Sequence, residues 1–304
     1  MHHFRKMESL KGDHRFKSCT LRKTHARLAH LVERSLDVGK ATSSNLVLRT
    51  NYSSNLFIFM KTQVIILAAG HGKRMQSDIP KALTPLHGRP FIKYVLDSVA
   101  SSGVCPSPIL VIGQKGDQVR DALGEDYKYV VQAEQLGTGH AVMCAKEASG
   151  DAENVLILYA DQPLVSADTI KALVGEHIKD DTILSMATVK VDDFEDWRAG
   201  FSNFSRVIRD EDGKLLRTVE MKDATEEEKK ITEINPCYLV FKAPWMWEKL
   251  QGLKNNNAQG EYYLTDLIAL ACELDKDITT IQIDPKEALG VNTKEQLEQL
   301  EKIF

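Results

Sequence analysis

Between residues 64 and 189 short apolar runs alternate with longer stretches of helical period, and few folds accept that rhythm. The runs are 64–67 (Val-Ile-Ile-Leu), 109–112, 129–131, 155–159 and 183–189. Helical patterns lie between them at 91–101, 116–123, 139–148 and 167–178. A run that is apolar at every position suits a strand buried on both faces, since a half-exposed strand alternates. Such succession predicts an α/β, Rossmann-like, mostly parallel sheet with helices on both faces. After residue 189 the rhythm changes. Segments 206–209 and 215–220 flank Asp212-Gly213, a hairpin signal, and Thr225 with Glu228 reads as a capping box. A strand at 238–241 and a polar helix at 294–303 follow. The expected organisation is one domain over 60–304 with a small antiparallel insertion near 192–240.

Composition matters mainly for the first 59 residues. They hold 11 Lys/Arg against 4 Asp/Glu, whereas the remainder holds 28 against 39, for a net charge of −4. That balance gives no global basic field, so nucleic acid is not an expected partner. The same tract has 5 of the 9 histidines, 2 of the 18 glycines and one helical pattern, 24–38. Met60 reads as the natural start, with 1–59 a disordered or spurious extension; its four acids weaken a targeting-peptide reading. The longest apolar runs fall far short of the roughly 20 residues that cross a bilayer, so no membrane association is expected. Five scattered cysteines without a C-x-x-C pair read as reduced, buried thiols of a cytoplasmic protein.

The first apolar run opens into Leu67-Ala68-Ala69-Gly70-His71-Gly72-Lys73-Arg74-Met75. Closely spaced glycines free backbone N–H groups to curl around an anion, and Lys73 and Arg74 add charge. A dinucleotide fingerprint needs glycine where Met75 stands, and a Walker A loop needs Ser or Thr where Arg74 stands. Neither fits. A nucleotidyltransferase loop, L-A-A-G-x-G-x-R-M followed by P-K, is satisfied through Pro80-Lys81.

With further strings in order, the chain resembles the pyrophosphorylase domain of bacterial N-acetylglucosamine-1-phosphate uridylyltransferases, of the MobA-like NTP transferase superfamily. These strings are QAEQLGTGHA (132–141), YADQPL (159–164), VEMKDAT (219–225), EIN (233–235), NNNAQGEYYLTD (255–266) and GVN (290–292). The resemblance implies a nucleotide-diphospho-sugar-transferase fold. It also implies Mg²⁺-dependent formation of UDP-N-acetylglucosamine and pyrophosphate from UTP and N-acetylglucosamine 1-phosphate. The chain holds no hexapeptide-repeat β-helix, so acetyl transfer is not expected from it. Without that repeat domain, the expectation is a monomer or weak dimer.

The resemblance distributes roles as follows. Arg74 and Lys81 are catalytic cations. Leu67, Ala69, Gly70, Gly72, Gln132, Gln135, Gly137 and Thr138 hold the nucleotide. Tyr159, Glu220, Asn235, Glu261, Tyr263 and Thr265 face the sugar, and Asp161 with Asn292 would share the Mg²⁺. A hard carboxylate at the carboxyl end of a parallel strand suits that ion independently of the likeness. The chain departs from the family pattern at Ala160, Ser205, Pro236 and Cys237, which cluster around the sugar residues. Another sugar 1-phosphate, another nucleotide, or a non-catalytic nucleotide-sugar binder therefore remain open alternatives.

Overall fold

The computed structural model describes residues 61–70, 78–276 and 278–304, all within one unit, Ser54–Phe304. The extension at 1–59 with its helical pattern at 24–38, and Gly72 and Arg74, lie outside them. The main sheet is built outward from β1 (Thr62–Ala68). Strand β1 pairs in parallel with β4 (Ile109–Ile112) and β6 (Asn154–Tyr159), and β4 pairs in parallel with β5 (Lys128–Val131). A separate ribbon of two short strands, β2 (Pro85–Leu86) and β3 (Arg89–Pro90), lies between β1 and β4 in the chain.

The two faces of β1 explain its composition. Val64 and Ile66 point into one core, against α1 (Phe91–Ser102) and α4 (Ala167–Asp180). Ile65 and Leu67 point into another, with α3 (Thr138–Cys144), α6 (Ala243–Leu250) and α7 (Asp266–Glu273). Successive side chains of a strand face opposite ways, so a sheet covered on both sides needs apolar residues throughout. Helix α2 (Gly116–Leu123) connects β4 to β5.

Strand β7 (Leu184–Lys190) continues the parallel direction but does not adjoin β6. Strand β11 (Leu239–Lys242) lies between them, antiparallel to both. Leu239, Val240 and Phe241 are fully buried, which an interior strand requires. The hairpin predicted around Asp212-Gly213 is β8 (Arg206–Arg209) with β9 (Leu215–Val219), joined by a turn in which Gly213 N donates to Asp210 O. Short α5 (Glu226–Lys229) carries the expected capping box, and β10 (Glu233–Ile234) joins the hairpin to β7. Two departures stand out. The helix expected to reach residue 148 ends at Cys144 and passes into a 3₁₀ turn, Glu147–Ser149. Strand β12 (Ile278–Gln282), parallel to β7, and helices α6 and α7 were not anticipated. Helix α8 (Lys294–Ile303) completes the set. Among the described residues no helix is long and apolar enough to cross a membrane.

Candidate active site

The parallel strands deliver their carboxyl ends to one edge of the sheet, where open α/β sheets bind ligands. A cleft of about 240 Å³ opens there. Leu67, Ala69 and Gly70 line it from the turn after β1, and Gln132, Gln135, Gly137 and Thr138 from the turn after β5. Lys81, Tyr159, Asp161 and Glu261 line it as well. Ala68, Ala82, Ala141 and Ala160 fill out the wall. Sequence reasoning gave Ala68, Ala82 and Ala141 no role, because a small side chain that merely leaves room carries no chemical signal, and Ala160 stood out only as a departure from the family pattern.

The turn after β5 is braced by a distant segment. Tyr262 N donates to Leu136 O at 2.8 Å, Gly139 N donates to Tyr262 O at 2.8 Å, and Leu264 N donates to Thr138 Oγ1 at 3.0 Å. Gln135 Nε2 donates to the Ala69 carbonyl, tying the two turns together. Gly137 sits at φ 104°, and a Cβ there would come within 2.7 Å of the Tyr262 carbonyl oxygen. Both the left-handed backbone and the lack of space demand glycine.

One cation joins the rest. Pro80 leads into a 3₁₀ turn, Lys81–Leu83, and the Lys81 ammonium donates to the Asp161 carboxylate and, at 2.7 Å, to Asn292 Oδ1. Asn292 is held by the start of α8. Gln296 Oε1 accepts from Asn292 N at 2.6 Å and Thr293 N at 3.2 Å, while Thr293 Oγ1 accepts from Gln296 N. Val291 N donates to the Asp161 carbonyl at 3.2 Å, which locks the two segments side by side. A carboxylate and an amide oxygen thus already converge on a positive charge. Hard oxygen donors in that number suit Mg²⁺, which usually takes one or two from protein and the rest from phosphates and water. Among the described residues no three His, Cys, Asp or Glu side chains cluster as a metal site.

Glu220, Asn235, Tyr263 and Thr265 do not line the cleft. Thr265 Oγ1 donates to Glu220 Oε1 at 2.9 Å. Burial holds the Glu220 carboxyl above its ordinary range, opposed by the Thr265 bond and reinforced by Asp266 and Asp223. Burial also pushes the Tyr159 phenol well up, with Cys237, Asp161 and Glu220 adding to it. The Tyr263 hydroxyl accepts from Gln259 Nε2 at 2.7 Å. Asn235 is fully buried; its Oδ1 accepts from Cys237 N at 2.8 Å, and its Nδ2 has no partner among the described residues. A desolvated carboxylate and an unpaired amide N–H are groups that a hydroxyl-bearing ligand would satisfy.

Cys237 differs from its reading as a small buried hydrophobe. Its thiol donates to the Asn235 carbonyl at 3.9 Å, and its backbone stands at φ 65°, where non-glycine residues are uncommon. The only hint in the sequence was the turn-forming Asn-Pro pair before it.

Comparison with known proteins identifies the family. The model of the MobA-like NTP transferase domain matches residues 64–261. The bifunctional protein GlmU of Thermoanaerobacter pseudethanolicus is 41% identical over 240 residues, 79% of this chain and 51% of that protein. GlmU of Fervidobacterium nodosum is 45% identical over 241 residues, 79% of this chain and 50% of the relative. The chain therefore spans about half the length of these relatives. The crystal structure of a UDP-glucose pyrophosphorylase complexed with UDP-glucose superposes with a TM-score of 0.64 at 18% identity. It covers 80% of this chain and 98% of that one, a likeness of fold alone. The family model matches residues 64–261, more than half of the sequence, so the chain belongs to the MobA-like NTP transferase family.

Proposed function

We propose that the chain transfers a uridylyl group from UTP to N-acetylglucosamine 1-phosphate, releasing pyrophosphate and forming UDP-N-acetylglucosamine. The convergence of Lys81, Asp161 and Asn292 at the cleft carries this reading. A sugar-phosphate oxygen forms a new bond to the α-phosphorus of UTP, and the bond from that phosphorus to the leaving pyrophosphate breaks. Both reactants are polyanions, so the protein's task is to hold them in line and offset their charge. The Lys81 ammonium is placed to neutralise a phosphate, and the turn at Ala69–Gly70 offers backbone N–H groups. Tyr159, which lines the cleft, supplies a hydrogen bond for the sugar, and Glu220 and Asn235 keep the sugar-facing roles implied by resemblance.

The family generally works with a divalent metal. For this chain we assign Mg²⁺ to Asp161 and Asn292, where it would offset charge on the phosphates when bound. Arg74 and Gly72 keep the roles implied by resemblance. The activity is assigned to residues 60–304, which contain every residue of the cleft. A panel of nucleoside triphosphates and sugar 1-phosphates, read by pyrophosphate release, tests the reading. UTP with N-acetylglucosamine 1-phosphate should be the best pair, and a clear advantage for dTTP with glucose 1-phosphate would overturn it.

A further inference from the structure

The geometry points to His140 as a positioning residue for the nucleobase, acting by fixing which way the Gln132 carboxamide faces. This rests on the uridylyl-transfer reading above and deepens it. Gln132 lines the cleft and is 4% exposed. Its Nε2 lies 3.0 Å from the Gly137 carbonyl oxygen and 3.1 Å from His140 Nδ1. A carbonyl oxygen only accepts, so the nitrogen side of the amide must face Gly137. Its second hydrogen then goes to His140, which requires an unprotonated Nδ1 and puts the imidazole proton on Nε2. Cys144 Sγ, 4.0 Å from that Nε2, is the neighbour on the far side of the ring.

The consequence falls on the other half of the amide. Both hydrogen bonds of this carboxamide among the described residues leave from Nε2, so Oε1 is the group left for a ligand. An acceptor reads a donor, and the edge of a uracil ring offers one, the N3–H. Cytosine in the same position brings a lone pair at N3 and is repelled. His140 thereby joins the Gly137 carbonyl in holding the carboxamide in the one orientation that reads this base. The residue is well placed for this, in the first turn of α3, whose Gly139 N is bonded to Tyr262 O. The histidine touches no reacting atom and acts through Gln132.

The test is steady-state kinetics with UTP, CTP and 3-methyl-UTP on the wild type, His140→Phe and His140→Asn. The wild type should prefer UTP and reject 3-methyl-UTP, which lacks the donor. His140→Phe should raise KM for UTP and lower the UTP-to-CTP ratio of kcat/KM by roughly tenfold, the value of one hydrogen bond, with kcat nearly kept. His140→Asn, whose Oδ1 can stand where Nδ1 stood, should keep the wild-type ratio. A folded His140→Phe with an unchanged ratio overturns the inference. Should that variant not fold, wild-type turnover of 3-methyl-UTP equal to that of UTP overturns it instead. A wild type that makes nucleotide sugar with none of the three nucleotides defeats the uridylyl-transfer reading, and this inference falls with it.

Discussion

Lys81 shows how the site is wired at the scale of single residues. Its ammonium is shared by Asp161 and Asn292, so removing either oxygen changes what a positive charge sees at that point. Asp161→Asn keeps the shape and deletes the negative charge. Turnover should fall on the order of 100-fold, as when one fixed charge-stabilising group is lost. The melting temperature should move little, because Lys81 keeps the Asn292 oxygen and the Asp161 side chain is 26% exposed. A rate within a few-fold of wild type would show that no catalytic charge resides at Asp161. The residue types of the site were legible because they sit in contiguous strings. Their partnerships were not. Thr265 with Glu220, and Lys81 with Asn292, are long-range contacts that no spacing rule reports. For the left-handed backbone at Cys237 the preceding Asn-Pro pair was the sole sign, since cysteine itself carries no preference for it.

At the scale of elements, α8 matters through its first turn rather than its length. Thr293 caps it, and the Gln296 side chain that completes the capping box also accepts from Asn292 N. Thr293→Ala should cost about 1 kcal/mol of stability, the usual value of an N-cap. It should also raise the Mg²⁺ concentration needed for half-maximal rate, because Asn292 loses part of its support. Metal titration of the variant checks this; an unchanged half-saturation point separates the cap from the site. Elements with a strong pattern were readable, such as β1 and α4. Those that were missed lack one. Strand β12 is only half-buried along its length, and α7 (DLIALACE) is a short apolar run in which helix and strand look alike. Helix α6 begins Ala-Pro, which reads as a break although proline is tolerated in a first turn.

For the whole molecule, pH enters through a group far from the cleft. His177 of α4 is fully buried, with Nδ1 2.9 Å from Ser185 Oγ and Nε2 without a partner among the described residues. Burial, helped by nearby Lys242 and opposed by Asp181, lowers its pKa from 6.5 to about 4. The unfolded chain therefore takes up this proton first as pH falls. Stability from this group is intact above pH 6.5 and drains away down to about pH 4, by roughly 3 kcal/mol in all. Urea unfolding at pH 7 and pH 5 should show the loss, and His177→Gln should flatten that part of the profile. Equal slopes in both proteins would assign the acid sensitivity elsewhere.

The interleaving of β11 between β6 and β7 sets the order in which this polypeptide can be completed. On a ribosome, both outer strands emerge well before the one that joins them. Until residue 242 has cleared the exit tunnel, the growing product has two unjoined edges exposed to neighbours, and only then can the slab close.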